Sequence, residues 1–260
     1  MTIEKRQVGS LGIACWISGK AWIADKKTLV FVHGSGGDHT VWGYQYGRMK
    51  GDFNIAALEL PGHGGSDGPG EQDVAKYVEW VRAALPVFGI EKPVLIGHSL
   101  GAAISLTFAV QHGELLSGVV PCGGGLKMPV NPAILEGVRK DPAAILVMTA
   151  KIGVAKKHRE RLSPLLMEQK SDPEVIYGDF LACDGLDLTE AAKRIRIPAL
   201  VICGAEDKMM PLPYSEALRD AIPGAQMAVI AEAGHMVMME EPEAFNEPLK
   251  QFVNRLPKEA

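Results

Sequence analysis

The pentapeptide Gly97-His98-Ser99-Leu100-Gly101 sets a serine between two glycines, directly after the apolar run Pro93–Ile96 and before a helical pattern from Ala102 to His112. A strand-turn-helix elbow forces such a serine into a strained backbone conformation with Oγ exposed. Ser99 would also sit at a helix N-terminus, where free N–H groups and the helix dipole favour negative charge. These features suit a nucleophile; the alternative is a serine N-cap on an ordinary strand-to-helix turn. A serine nucleophile needs a base and usually a carboxylate that orients the base. His235 follows the apolar run Met227–Ile230, and Asp207 follows Leu200–Cys203, so both fall on loops at strand ends. The chain order Ser99, Asp207, His235 is the one this elbow requires. Taken singly, Asp207 reads as a loop carboxylate and His235 as a turn residue; their joint placement singles them out. His39, His63, His112 and His158 have no strand-end placement paired with an acid.

Charge developing on a substrate oxygen needs donors. His33-Gly34-Ser35-Gly36-Gly37 follows the run Leu29–Val32, and its small residues let backbone N–H groups face a cavity. The expected donors are the N–H of Ser35 and that of Leu100, the residue after the serine. The loop is not a phosphate loop: it lacks G-x-x-x-x-G-K-[ST], and Thr40 stands where G-x-G-x-x-G needs glycine or alanine. No cofactor is implied. Cys15, Cys122, Cys183 and Cys203 are scattered without a C-x-x-C pair, which reads as free thiols in a reducing cytoplasm and not as a metal site or disulfide framework.

The elements that must hold these residues follow from hydrophobic patterning. Residues 13–17 and 21–24 read as a hairpin about Ser18-Gly19-Lys20, followed by short apolar runs at 29–32, 53–60, 94–97, 115–120, 200–203 and 227–230. Runs too short for helices and bounded by Gly, Pro or charge mark strands buried on both faces of a parallel sheet. Helical patterns at 73–88, 99–112, 213–221 and 242–256 alternate with them, implying an α/β sheet whose ligands bind at the carboxyl ends of the strands. The interval 122–197 has no convincing strand but repeated helix-start signals, Asn131-Pro132, Asp141-Pro142, Ser163-Pro164 and Asp172-Pro173. It reads as a helical cap (122–197) inserted into a core domain formed by 1–121 and 198–260.

Composition bounds the rest. The 260 residues are 47% hydrophobic and 22% charged, enough for a sizeable core, and the 29 glycines cluster near the loops just named, which excludes disordered and fibrous classes. A net charge of −4 offers no general attraction to nucleic acid or to an anionic membrane. Met1–Ser10 has no apolar signal region and no apolar run is long enough to span a bilayer, so a cytoplasmic location is expected. Lys151, Lys156, Lys157, Arg159 and Arg161 form a basic stretch in the cap, read either as a solvated helix face or as a dock for an acidic carrier, an acyl carrier protein or a CoA ester.

Five motifs in order, His33-Gly34-x-Gly36-Gly37, Leu60-Pro61-Gly62-His63-Gly64-x-Ser66, Gly97–Gly101, Gly204-x-x-Asp207-x-x-x-Pro211, and Gly234-His235 with Glu241-Pro242, resemble the α/β-hydrolase superfamily over essentially the whole chain. The resemblance implies a mostly parallel eight-stranded sheet flanked by helices, with a cap after the sixth strand. It implies Ser99 as nucleophile, His235 as base then acid, and Asp207 as orienter. The expected reaction is cleavage of a small or medium carboxylic ester through an acyl-enzyme. Two alternatives stand: a C–C hydrolase of meta-cleavage type, whose members typically carry Trp after the catalytic histidine where this chain has Met236, and a non-catalytic binding protein on the same fold. The Pro61–Ser66 loop is expected to be structural, and Gly123–Gly125 to form the hinge into the cap. Met128, Ile134, Leu135, Met148, Leu165, Leu166, Met167 and Phe180 supply the cap's apolar surface.

Overall fold

The computed structural model describes residues 2–19, 21–168 and 171–257. Eight strands, β1 (Thr2–Val8), β2 (Leu11–Ile17), β3 (Thr28–Val32), β4 (Asn54–Leu58), β5 (Val94–His98), β6 (Gly118–Cys122), β7 (Leu200–Gly204) and β8 (Gln226–Ile230), form one sheet in the order β1-β2-β4-β3-β5-β6-β7-β8. The β1–β2 and β2–β4 pairings are antiparallel and the other five are parallel. Successive strand side chains point to opposite faces, and both faces are buried. Val30 and Val32 join one core with Leu95, Tyr77, Val81, Leu100 and Ile104; Leu29 and Phe31 join the other with Ile96, Trp42, Met49, Phe245 and Phe252. The helices α2 (Val74–Val87) and α3 (Leu100–His112) cover the first face; α1 (Gly43–Met49) and α10 (Pro242–Arg255) cover the second.

Between β6 and β7 the chain forms α4 (Pro132–Lys140), α5 (Pro142–Gly153), α6 (Arg159–Met167) and α7 (Pro173–Asp184). Three of the four start signals work as expected: Asn131, Asp141 and Asp172 accept from the N–H groups of Ala133, Ala144 and Glu174. Ser163-Pro164 does not start a helix. Pro164 lies inside α6, whose Leu162 and Leu166 are buried, and its missing N–H removes the one helical bond to Glu160 O. After β7 come α8 (Leu212–Ala221) and, beyond β8, the short α9 (Val237–Glu240).

The hairpin differs from the expected one. It joins β1 to β2 with Val8 opposite Leu11, and Gly9 at φ +56° makes the turn. Strand β1 is largely exposed and pairs on one side only, so it needs no apolar run to give it away. Residues 21–24 form no strand, and Lys20 of the expected turn lies outside the described residues. Strand β6 begins at Gly118, because residues 113–115 wind into a short 3-10 turn.

Register decides where the site falls. Val32 lies opposite Gly97, His98 opposite Cys122, and Gly204 opposite Ile230. The loops leaving β3, β5, β7 and β8 therefore emerge along one carboxyl edge.

Candidate active site

Ser99 adopts φ +53° and ψ −114°, a region that costs a non-glycine residue on the order of 1–3 kcal/mol. Its backbone is held there by three bonds: its N–H donates to Cys122 O at 2.9 Å, and its C=O accepts from Ala102 N at 2.8 Å and Ala103 N at 3.1 Å. Such a turn brings the strand and helix backbones into contact. A Cβ on Gly97 would collide with the Gly101 carbonyl, and one on Gly101 with the carbonyls of Val32 and His33.

His235 and Asp207 meet across the loops after β8 and β7. The His235 Nδ1 lies 2.8 Å from Asp207 Oδ2, both side chains being buried. The other Asp207 oxygen accepts from the N–H groups of Met209 at 2.9 Å and Met210 at 2.8 Å. The carboxylate is thus fixed, and Nδ1 of His235 donates to it, which leaves Nε2 as the basic nitrogen. That Nε2 is buried and has no hydrogen-bond partner among the described residues. Burial works against the imidazolium, but the charge and hydrogen bond of Asp207, with Glu240 adding, hold the His235 pKa above the usual histidine value. The His235 N–H donates to Gly153 O at 2.7 Å, and its C=O accepts from His98 Nε2 at 3.0 Å. Burial, followed by the nearby His235, pushes the His98 pKa well below the usual value.

Two supports of this loop were not legible in the motifs. Glu240, on α9, is buried, and its Oε2 accepts from Gly234 N at 2.9 Å and from Ala155 N at 2.8 Å. Burial raises its pKa against those two donors. Gly123 is the second. It sits at φ +58° and a Cβ there would lie 3.1 Å from Cε1 and Nδ1 of His235, so its bare backbone backs the imidazole. Gly123 thus has a packing duty besides ending β6. In the sequence Glu240 stands beside Glu241 and near Glu243, and nothing in that run marks it as the buried carboxylate.

The Gly34–Gly37 segment is a turn closed by Gly37 N to Gly34 O at 3.1 Å, with Gly36 at φ +64°. Among the described residues, neither the Ser35 N–H nor the Leu100 N–H has an acceptor within the fold. Beneath the turn lies Asp179 of α7, fully buried. Its Oδ2 accepts from Ser35 Oγ at 2.9 Å, Gly36 N at 3.2 Å and His63 Nε2 at 2.9 Å; its Oδ1 accepts from Tyr77 OH at 2.6 Å. His63 Nδ1 faces Pro61 O at 3.0 Å, so both ring nitrogens meet acceptors and the ring carries both protons. Burial opposes that charge, but Asp179 holds the His63 pKa above the usual value. The sequence reading gave His63 no acid. The acid lies 116 positions away on a cap-interval helix. Its signal was a single carboxylate on the face carrying Val175, Ala182 and Cys183. His39, His112 and His158 are likewise paired, with Glu59, Glu79 and Glu241.

Ser99 and His235 line a cleft of about 110 Å³, together with Ser35, Phe180, Met209 and Met236. A larger recess of about 700 Å³ adjoins it, sharing Gly37, Val41 and Leu166 and reaching Tyr44, Leu165 and Met239. The larger recess does not include Ser99. Of the apolar cap residues, Leu166 and Phe180 line the cleft, Met128 is in the core, and Met148 and Met167 are exposed. In the basic stretch, Lys157 pairs with Glu232 and Glu241, Arg159 donates to Val154 O, and Arg161 donates to Met239 O and Glu240 O. Three of these cations thus tie the inserted segment to the core and to itself. All four cysteines are free and buried. One cluster among the described residues, Asp38, His39 and Glu59, brings ligand-type atoms within 4.8 Å of one another. There the His39 ring bonds Glu59, and Asp38 caps Thr40 N at 2.7 Å, so these atoms already serve one another. No helix among the described residues is long and apolar enough to cross a membrane.

Residues 29–247 match the family described as alpha/beta hydrolase. A dihydrolipoyllysine-residue acetyltransferase component of the acetoin cleaving system from Pseudomonas putida is 28% identical over 87% of this chain, which spans 63% of that protein's length. A 2-hydroxy-6-oxononadienedioate/2-hydroxy-6-oxononatrienedioate hydrolase from Paraburkholderia phymatum is 27% identical, over 89% of this chain and 88% of its own. Among solved structures, a thermophilic esterase superposes with a TM-score of 0.85 at 30% identity, covering 98% of both chains.

Proposed function

The chain belongs to the alpha/beta hydrolase family, and from that premise we propose that it is a serine hydrolase cleaving small or medium carboxylic esters through an acyl-enzyme on Ser99. The observation that carries the reading is one constellation. A serine held at φ +53° shares a cleft with a histidine whose far nitrogen is anchored to a fixed carboxylate. In this reading His235 Nε2 takes the Ser99 proton as Oγ attacks the ester carbonyl carbon. The resulting oxyanion accepts from the N–H groups of Ser35 and Leu100. Collapse expels the alcohol, which takes the proton from His235, and a water activated by the same nitrogen then releases the acid. Segment 122–197 acts as the cap: Leu146, Thr149, Ala150, Gly153, Leu166 and Phe180 close the cleft from above. The small cleft suits a short acyl or alcohol group at the reacting carbon, and the adjoining recess leaves room for a longer remainder.

The C–C hydrolase alternative is favoured by the Paraburkholderia relative. Met236, where such enzymes typically carry Trp, weighs against it. An acyl-chain series of p-nitrophenyl esters tests the main reading: turnover by wild type, lost in Ser99→Ala, is expected. Cleavage of a vinylogous 1,5-diketone well above ester hydrolysis would instead select the C–C reading. Binding without turnover on either panel would remove the enzyme claim.

A further inference from the structure

Asp179 is a fully buried carboxylate that touches neither Asp207 nor His235, yet four donors converge on it. Two of them, Ser35 Oγ and Gly36 N–H, belong to the turn that carries the Ser35 amide. The bond from Gly37 N to Gly34 O closes the ends of the turn but does not hold its middle, so the direction of the second residue's N–H depends on what grips that residue. Here the central peptide joins Ser35 to Gly36, and Gly36 sits at φ +64°. Its N–H is one of the two groups of the turn that Asp179 binds, so the carboxylate grips Ser35 through its side chain on one side of Cα and through the following peptide on the other. The other two donors explain why the carboxylate itself stays put. His63 carries a proton on each nitrogen and Tyr77 closes the opposite oxygen at 2.6 Å.

We propose that Asp179 is the positioning residue of the oxyanion loop: reaching down from the inserted helix α7, it holds Ser35 by its Oγ and by the N–H of the next residue, Gly36, and thereby keeps the Ser35 N–H, which belongs to the preceding peptide, turned to the cleft. The role rests on the serine-hydrolase reading above. It makes the inserted helices part of the catalytic framework as well as a cover, because α7 supplies the acceptor for Ser35 Oγ and Gly36 N–H, and Ser171, just before it, donates to Gly36 O at 2.6 Å. Asp179 acts through the loop and does not touch substrate.

The test uses the full chain, with kcat expressed per active site titrated by a fluorophosphonate, so that a smaller folded fraction does not count as lost rate. Asp179→Ala is expected to lower kcat for p-nitrophenyl butyrate by about 10²-fold, the scale of a lost or misplaced oxyanion donor, with KM changed less than about threefold. Affinity for an alkyl boronic acid, which forms a tetrahedral adduct on the serine, should fall in parallel with kcat/KM. Asp179→Asn keeps an oxygen acceptor facing Ser35 and Gly36 and should stay within about fivefold of wild type. If Asp179→Ala does not fold, Ser35→Ala decides: it removes the hydroxyl tether alone and should cost about fivefold in kcat and boronate affinity. A per-site kcat and boronate affinity within twofold of wild type in Asp179→Ala or Ser35→Ala overturns the proposal, as does an Asn variant as impaired as the Ala one. Wild type inactive on every ester removes the hydrolase reading and this role together. Wild type active and Ser99→Ala dead, with unaffected Asp179→Ala, removes the positioning role only.

Discussion

Gly123→Ala separates backbone strain from interference with the proposed base. Gly123 ends the β6 edge at φ +58°, where an L residue costs roughly 1–2 kcal/mol. Its new methyl would lie 3.1 Å from Cε1 and Nδ1 of His235 and 3.6 Å from Asp207 Oδ2. Carbon contacts are comfortable at about 3.5–4.0 Å, so the ring must yield by roughly half an ångström. It cannot do so freely, because Nδ1 is anchored at 2.8 Å and the His235 N–H is bound at 2.7 Å. A displacement of about 1 Å can cost about 10² in rate, so about half that distance should cost about tenfold in kcat/KM. Gly224→Ala is the control: φ is +75° and nothing lies within 4 Å of the added carbon. It carries the same backbone cost without touching the site. Urea unfolding and p-nitrophenyl butyrate kinetics on both variants are sufficient. The expected outcome is a similar stability loss of about 1–2 kcal/mol in each, with kcat/KM reduced only in Gly123→Ala. If Gly123→Ala matches Gly224→Ala in stability and retains kcat/KM within twofold of wild type, the account of Gly123 as the support behind His235 is refuted.

The proposed base must be neutral and Asp207 raises the His235 pKa, so under that proposal the acidic limb of kcat/KM should lie above the usual histidine value. In Asp207→Asn that limb should move to lower pH and the rate fall by about 10³–10⁴, as a pH-rate profile will show. His33 is fully buried, donates from Nδ1 to Gly34 O and accepts at Nε2 from Leu60 N, and burial, followed by the nearby His63, lowers its pKa to about 4. The unfolded chain binds this proton below about pH 6.5 and the native state does not. Stability should therefore fall on acidification from about 6.5 towards 4, on the order of 3 kcal/mol from His33, and less steeply in His33→Asn by urea unfolding at each pH. The four buried cysteines, with pKa pushed up by burial at Cys15, Cys122, Cys183 and Cys203, should resist a thiol reagent such as DTNB in the native protein and all react in denaturant. Gly97→Ala should yield little folded protein, since its Cβ meets the Gly101 backbone and no rotamer change relieves a backbone clash; circular dichroism and soluble yield check it.

What the amino-acid sequence determined by itself was local. A short apolar run bounded by glycine or proline can be buried only as a strand here, and Asn or Asp before Pro starts a helix by satisfying its own first N–H groups. Hence β3 through β8 and the starts of α4, α5 and α7 were legible, as were the strand-end addresses of Ser99, Asp207 and His235. Strand β1 was not, because an exposed edge is held by backbone bonds that leave no hydrophobic pattern. Nor was Pro164 within α6, where burial of Leu162 and Leu166 outweighs one missing bond. The tertiary structure alone decided the long-range partners: Asp179 under Ser35 and Gly36, Glu240 under Gly234 and Ala155, Gly123 behind His235. A buried carboxylate must find donors, but which donors depends on the packing that brings distant segments together, and no spacing along the chain encodes that choice.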